Sequence, residues 1–130
     1  MPITALYAAL LAPVLIALSV RTIAWRRSAR IAFGHGEDGE LLRRTRAHAN
    51  FAEYVPYALI LIGLAESLAA PSLLLHALGA GLVAGRCVHA YALSRNPHSI
   101  PLRVLGMSAT FAVIIVAALC TLVLAVVQLI

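Results

Sequence analysis

The chain has 130 residues, 62% of them hydrophobic and only 12% charged, with a mean hydropathy of +0.95. A soluble domain carries about a quarter of its residues as charged side chains, so this composition excludes one and indicates an integral membrane protein forming a single domain, residues 1–130. The net charge of +5 comes from ten arginines and no lysine, and these lie beside apolar runs, which argues for topology-setting bases and against nucleic-acid binding.

The fold class read from this pattern is all-α, an integral membrane four-helix bundle with spans at about 3–25, 47–68, 72–93 and 104–127. Ile3 to Val20 is an uncharged run of 18 residues. Pro13 interrupts it, which membrane helices tolerate. Met1-Pro2-Ile3-Thr4 lacks the basic segment of a signal peptide, and the positive charge follows the apolar run.

Arg21 to Arg46 reads as one long polar connection, carrying Arg21, Arg26, Arg27, Arg30, Arg43, Arg44 and Arg46. Trp25 suits an interfacial position there. Gly34-His35-Gly36-Glu37-Asp38-Gly39-Glu40 reads as a turn, without the spacing of a phosphate-binding loop.

The second span contains Pro56, where a kink is expected, and ends near Glu66, read as an acid at the opposite interface. His76, near the start of the third span, reads as interfacial or hydrogen-bonded. That span has Gly79-Ala80-Gly81 for close packing, then Arg86 and His89 one turn apart. Ser94 to Pro101 is a second basic loop with Arg95 and His98, and Arg103 stands at the start of the last span. Val104 to Val127 carries no charge. Cys87 and Cys120 read as buried free thiols, and no metal-ligand spacing is present.

Every arginine therefore lies in or beside two of the three connections. The positive-inside rule puts both basic loops in the cytoplasm and both termini on the opposite side.

The informative stretch is Arg43-Arg44-Thr45-Arg46-Ala47-His48-Ala49-Asn50-Phe51-Ala52-Glu53-Tyr54-Val55-Pro56. On a helix of 3.6 residues per turn, Arg46, Asn50, Glu53 and Tyr57 share one stripe. Charges entering an apolar helix cost roughly 2.5–3.5 kcal/mol each at the bilayer centre and less near its edge. With Arg26, Arg27, His48, Tyr54, Arg86, His89 and Arg103 they outline a rim of polar groups. Arginines bind carboxylates through paired donors, Glu53 can meet an ammonium, and Asn50 can pair with an amide. One reading is a pocket for a small, multiply charged, peptide-like anion. The other is structural: Glu53 pairs with Arg86 or Arg46, and the remaining arginines reach lipid headgroups.

The run from Arg46 to Pro56, with the preceding Arg-Arg pair, Gly85-Arg86 and Arg103-Val104-Leu105-Gly106-Met107, resembles the MAPEG family, the membrane-associated proteins in eicosanoid and glutathione metabolism. The resemblance implies a homotrimer of four-helix subunits with glutathione bound between neighbours at the basic rim. By match to the motif, Arg46 and Asn50 would hold the tripeptide and Glu53 its amino group. Tyr54 would contact it and Arg86 would support the pocket, with His48 and His89 beside them. Arg26 or Arg27 and Arg103 match entrance arginines, one of which stabilises the thiolate in some members, so Arg103 and Arg27 are the expected catalytic residues.

Three positions depart from members with defined activity. His89 and Leu93 stand where tyrosines are common on the third helix, and Met107 stands near a further one. The implied function is a glutathione-dependent transferase or peroxidase acting on a lipophilic small molecule from the lipid bilayer. A small proton-coupled transporter and a catalytically silent scaffold remain as alternatives.

Overall fold

Helix boundaries follow from local chemistry. Prolines occupy the first turns of α1, Pro2–Ala29, and α4, Ile100–Leu129, where their missing N–H groups would have no partner anyway. Between them lie α2, Gly39–Ser67, and α3, Ser72–Ser94. The computed structural model describes residues 1–94 and 99–130, so Arg95 and His98 of the second basic loop lie outside the described residues. Among those described, all regular structure is helical.

α2 begins earlier than the charge pattern suggests. The Asp38 carboxylate caps it by accepting the Leu41 N–H at 2.8 Å, so Gly39 and Glu40 form its first turn and the arginine run 43–46 is helical rather than loop. The helix then continues through Pro56. Glu66, at the far end of α2, reaches the start of α1. Its carboxylate accepts the N–H groups of Ile3 (3.0 Å) and Thr4 (2.8 Å) and the Thr4 hydroxyl (2.6 Å). An acid read as merely interfacial thus satisfies the orphan donors of a neighbouring helix.

α2 and α3 pack against each other. α1 packs against both, and so does α4, while α1 and α4 make no mutual contact and flank the pair. The buried row of α2 is Ala47, Phe51, Val55, Ala58 and Ile62, a spacing of one helical face. It meets Leu11 and Leu18 of α1, Leu75, Leu78 and Leu82 of α3, and Val113 and Ala117 of α4.

Two glycines set the closest crossings. A Cβ on Gly79 would fall inside the Tyr7 ring, and Tyr7 in turn shares a 3.1 Å hydrogen bond with His76. A Cβ on Gly106 would lie 2.7 Å from the Gly85 carbonyl oxygen and 2.8 Å from His89.

α1, α3 and α4 are each long and apolar enough to cross a membrane. α2 is not, because its first half carries the arginines and Glu53. Ile16, Val20 and Ile23 of α1 and Ile115, Leu119 and Leu122 of α4 are exposed, an apolar outer surface suited to lipid rather than water. The cysteines are not buried as expected: Cys87 is exposed on α3 and Cys120 is half-buried on α4.

Candidate functional site

The site is built on the second half of α3. Gly85 and Gly106 let α3 and α4 approach closely, and α2 closes the third side, so Arg86 is only 1% exposed and His89 only 2%. Arg86 donates to the Asn50 carbonyl oxygen at 3.3 Å and to the Met107 thioether sulfur at 3.5 Å. Neither is an anion. Among the described residues its Nε has no hydrogen-bond partner, nor has the buried Nε2 of His89 or the buried Oδ1 of Asn50. Buried polar atoms are normally paired, so three orphans in one layer mark a place with unused hydrogen-bonding capacity.

The α2 stripe borders this layer. Asn50 and Tyr54 are half-buried, while Arg46, Glu53 and Tyr57 are exposed on the outer side. Glu53 pairs with neither Arg86 nor Arg46: among the described residues the ion pairs are those of Glu40 with Arg43 and with Arg44, the latter at 2.7 Å. The structural reading of Glu53 as an intrachain partner is therefore overturned. Tyr54 meets Phe111 of α4 edge to face, with ring centroids 5.3 Å apart.

Arg103 is exposed and lines a cleft of about 360 Å³ with Ile100, Val104, Met107, Ser108 and Phe111. The cleft adjoins the buried layer at two points, because Met107 touches Arg86 and Phe111 touches Tyr54. Phe111 was not among the sequence candidates. Its signal was the four-residue spacing of Arg103, Met107 and Phe111, which puts all three on one face of α4.

The remaining candidates lie elsewhere within the chain. His48 is on the α1 side of α2, lining a cavity with Ser19, Thr22 and Ile23. Arg26 donates to the Gly34 carbonyl oxygen at 2.7 Å. Arg27 is exposed on α1, and α1 does not touch α4. One chain thus divides the rim into an α2–α3–α4 cluster (Asn50, Tyr54, Arg86, His89, Arg103, bordered by Arg46 and Glu53) and an α1-side group (Arg26, Arg27, His48).

Between α1 and α2 the connection is stapled. The Trp25 indole donates to Asp38 at 2.9 Å, and the Arg44 guanidinium lies 4.4 Å from the Trp25 ring centroid. Trp25 is therefore a clamp between α1 and the start of α2. The Leu41 N–H, and after it the indole, hold the Asp38 carboxyl below its ordinary range. The Arg44 hydrogen bond does the same for Glu40. Arg21 bonds Ser94, and Arg44 donates to the Arg21 carbonyl oxygen at 3.1 Å, tying α1, α2 and α3 together at the basic end.

A free guanidinium donor, an amide acceptor, an imidazole nitrogen and an exposed carboxylate on adjoining turns are complementary to a small ligand bearing carboxylates, an amide and an ammonium. The fold and this rim define an integral membrane protein with a polar site at its basic end. The chain belongs to the MAPEG family, whose sequence profile matches residues 4–123. It is 34% identical over 120 residues to the inner membrane protein YecN of Escherichia coli, covering 92% of this chain and 90% of the relative, with the same figures in two strains.

Proposed function

We propose that this protein binds glutathione at the α2–α3–α4 cluster and uses its thiolate, as a transferase or peroxidase, on lipophilic molecules reaching the site from the bilayer. The observation that carries the reading is Arg86: a guanidinium buried without an anion, beside the orphaned Asn50 Oδ1 and His89 Nε2. Family membership supports glutathione as the ligand that answers these groups. Arg46 and Asn50 hold the tripeptide, Glu53 receives its ammonium, and Arg86 supports the pocket from below. The assembly is a homotrimer, in which a neighbour's α1 brings Arg26 and Arg27, and the adjoining face of its α2 brings His48, to the open side of the cluster. Both basic loops face the cytoplasm and both termini lie on the opposite side of an inner membrane.

The chemistry is positional and electrostatic. A free thiol has a pKa of about 8.5 and reacts as thiolate. Arg103, at the mouth of the α4 cleft, favours the charged form without giving up a proton itself. The thiolate then forms a carbon–sulfur bond with an electrophile, either as a leaving group departs with its bonding pair or as an activated C=C π bond opens and the resulting carbanion takes a proton from water. With a hydroperoxide it instead takes one oxygen as the O–O bond breaks, and a second thiol reduces the resulting sulfenic acid.

A second reading, glutathione binding without turnover, is favoured by one observation. Met107 sits on the Arg86 guanidinium near a position where active members carry a tyrosine hydroxyl. Proton-coupled transport is disfavoured, since Glu53 stands on the outer face of α2 rather than in an enclosed path.

Calorimetry with glutathione, followed by a conjugation assay, tests both readings. Glu53→Gln should weaken binding by about 1–3 kcal/mol for one lost charge-assisted bond. Arg103→Ala should keep affinity nearly unchanged while raising the pKa of the bound thiol, read by thiolate absorbance. No binding by the native protein would overturn the proposal. Loss of binding in Arg103→Ala with Glu53→Gln intact would overturn the roles.

A further inference from the structure

The connection between α1 and α2 presents an aromatic side chain from a frame held at three points. Arg30 turns the chain in the left-handed conformation, φ 58, as the Ile31 N–H closes onto the Arg26 carbonyl oxygen at 3.1 Å. Arg26 then donates to the Gly34 carbonyl oxygen at 2.7 Å, folding the connection back along the last turn of α1. Trp25 and Asp38, joined at 2.9 Å, close the far side. Between these ties Phe33 projects with 92% of its surface exposed.

Its surroundings are cationic. Arg27 and Arg30 are both exposed, and neither guanidinium has a hydrogen bond or ion pair among the described residues. Arg27 also continues the exposed α1 row Ile16, Val20 and Ile23 at helical spacing, so it emerges where that apolar row ends.

Height along the helix decides what this surface meets. At 1.5 Å per residue, Arg26 to Ala29 lie about 4 to 9 Å beyond Ile23. The headgroup layer on each side of a bilayer is about 5–8 Å thick. With Ile23 taken as the edge of the hydrocarbon, the Arg26–Gly34 bond would keep Phe33 level with that layer rather than above it in water.

We propose that residues 30–36 dock onto the headgroup layer of an anionic phospholipid bilayer, with the Phe33 ring entering between headgroups and Arg30 pairing with a phosphate. An aromatic ring near an unpaired arginine combines the two forces that hold a peptide segment at an anionic interface, apolar burial and attraction to phosphate. Basic residues next to a span are also drawn to the leaflet richer in anionic lipid, so the contact would hold the first connection flat on that leaflet.

The test uses the full-length protein in lipid nanodiscs. Cys87 and Cys120 are replaced by serine and alanine, and a nitroxide is placed at Ala32→Cys or, as a water-exposed reference, at Glu37→Cys. Accessibility to oxygen and to a water-soluble nickel chelate is measured in phosphatidylcholine and in mixtures with phosphatidylglycerol. The label at 32 should favour oxygen over the chelate severalfold more than the label at 37, and anionic lipid should widen that difference. Phe33→Ser combined with Arg30→Asn, which tolerates the left-handed turn, should abolish the gain while helical content stays unchanged. Equal accessibility at 32 and 37 in both lipids would overturn the proposal. So would a label at 32 shielded from both reagents, which would assign the surface to a second copy or another protein.

Discussion

Arg86 donates to the main-chain carbonyl oxygen of Asn50 at 3.3 Å, and among the described residues its own Nε and the side-chain Oδ1 of Asn50 both lack partners. The two residues touch only through the Asn50 main chain, while the amide oxygen of its side chain remains unused. A buried cation held only by a carbonyl and a thioether contributes little to folding, since removing a charge from water is costly unless an anion answers it. That cost fits the ligand-binding role proposed for it above.

Arg86→Met should therefore separate stability from binding. Methionine matches much of the arginine volume and removes the desolvated charge. The thermal midpoint in detergent should be unchanged or higher, in line with the neutral to roughly 1–4 kcal/mol gains seen when buried ionic groups are replaced by apolar ones. Glutathione binding should be lost. A sharp fall in thermal midpoint would mean that Arg86 holds the bundle together.

The α3–α4 crossing leaves no room at Gly106. Gly106→Ala should destabilise the protein by about 1–3 kcal/mol, because the new methyl group meets the Gly85 carbonyl oxygen and His89 backbone rather than a movable side chain. Gly81→Ala is the matched control, since its Cβ would meet only a Val113 methyl at 3.3 Å. Equal midpoints for the two variants, measured by thermal unfolding, would contradict the packing argument.

Acid should loosen the staple between α1 and α2. Folding lowers the Asp38 pKa below its ordinary 3.8, so this contact stabilises the fold above that value and is lost as pH falls through the lower folded value. Trp25, the single tryptophan, reports it directly through its bond to Asp38. Its fluorescence should hold steady at neutral pH and change on acidification below about 4. Asp38→Asn keeps a capping oxygen and removes the titration, so its profile should be flat over the same range.

Assembly is readable by native mass measurement in mild detergent, with three copies expected. Arg46 and Glu53 stand exposed on α2, next to a membrane, where an uncovered charge is costly. A neighbouring subunit would cover that stripe and complete the cluster. A monomer that binds glutathione with full affinity would refute a shared site.

Much of the fold was legible before any coordinates. α1, α3 and α4 show in the sequence because a lipid-facing helix is apolar whatever its neighbours are. The Arg46, Asn50, Glu53 and Tyr57 stripe was legible because helical spacing alone puts them on one face. The start of α2 was misread: glycine and charge suggested a turn through Glu40, and the capping role of Asp38 outweighed that composition. Glu66 and Trp25 were half-read, as interfacial residues, because their partners Thr4 and Asp38 are distant in sequence or lie across a turn.

The sequence by itself determined that the chain enters a membrane, where its arginines gather, and which residues share a face of α2, since hydropathy and helical period are local properties. It could not determine burial or partnership. Only the packing of α3 against α2 and α4 decided that, among the described residues, Arg86 is enclosed without an anion and Glu53 stays exposed without an ion pair. The lack of contact between α1 and α4 likewise decided that Arg27 and Arg103 stand on helices that do not meet within one chain. These outcomes depend on which helices approach which, and that is set by glycine contacts and helix order acting over long sequence separations.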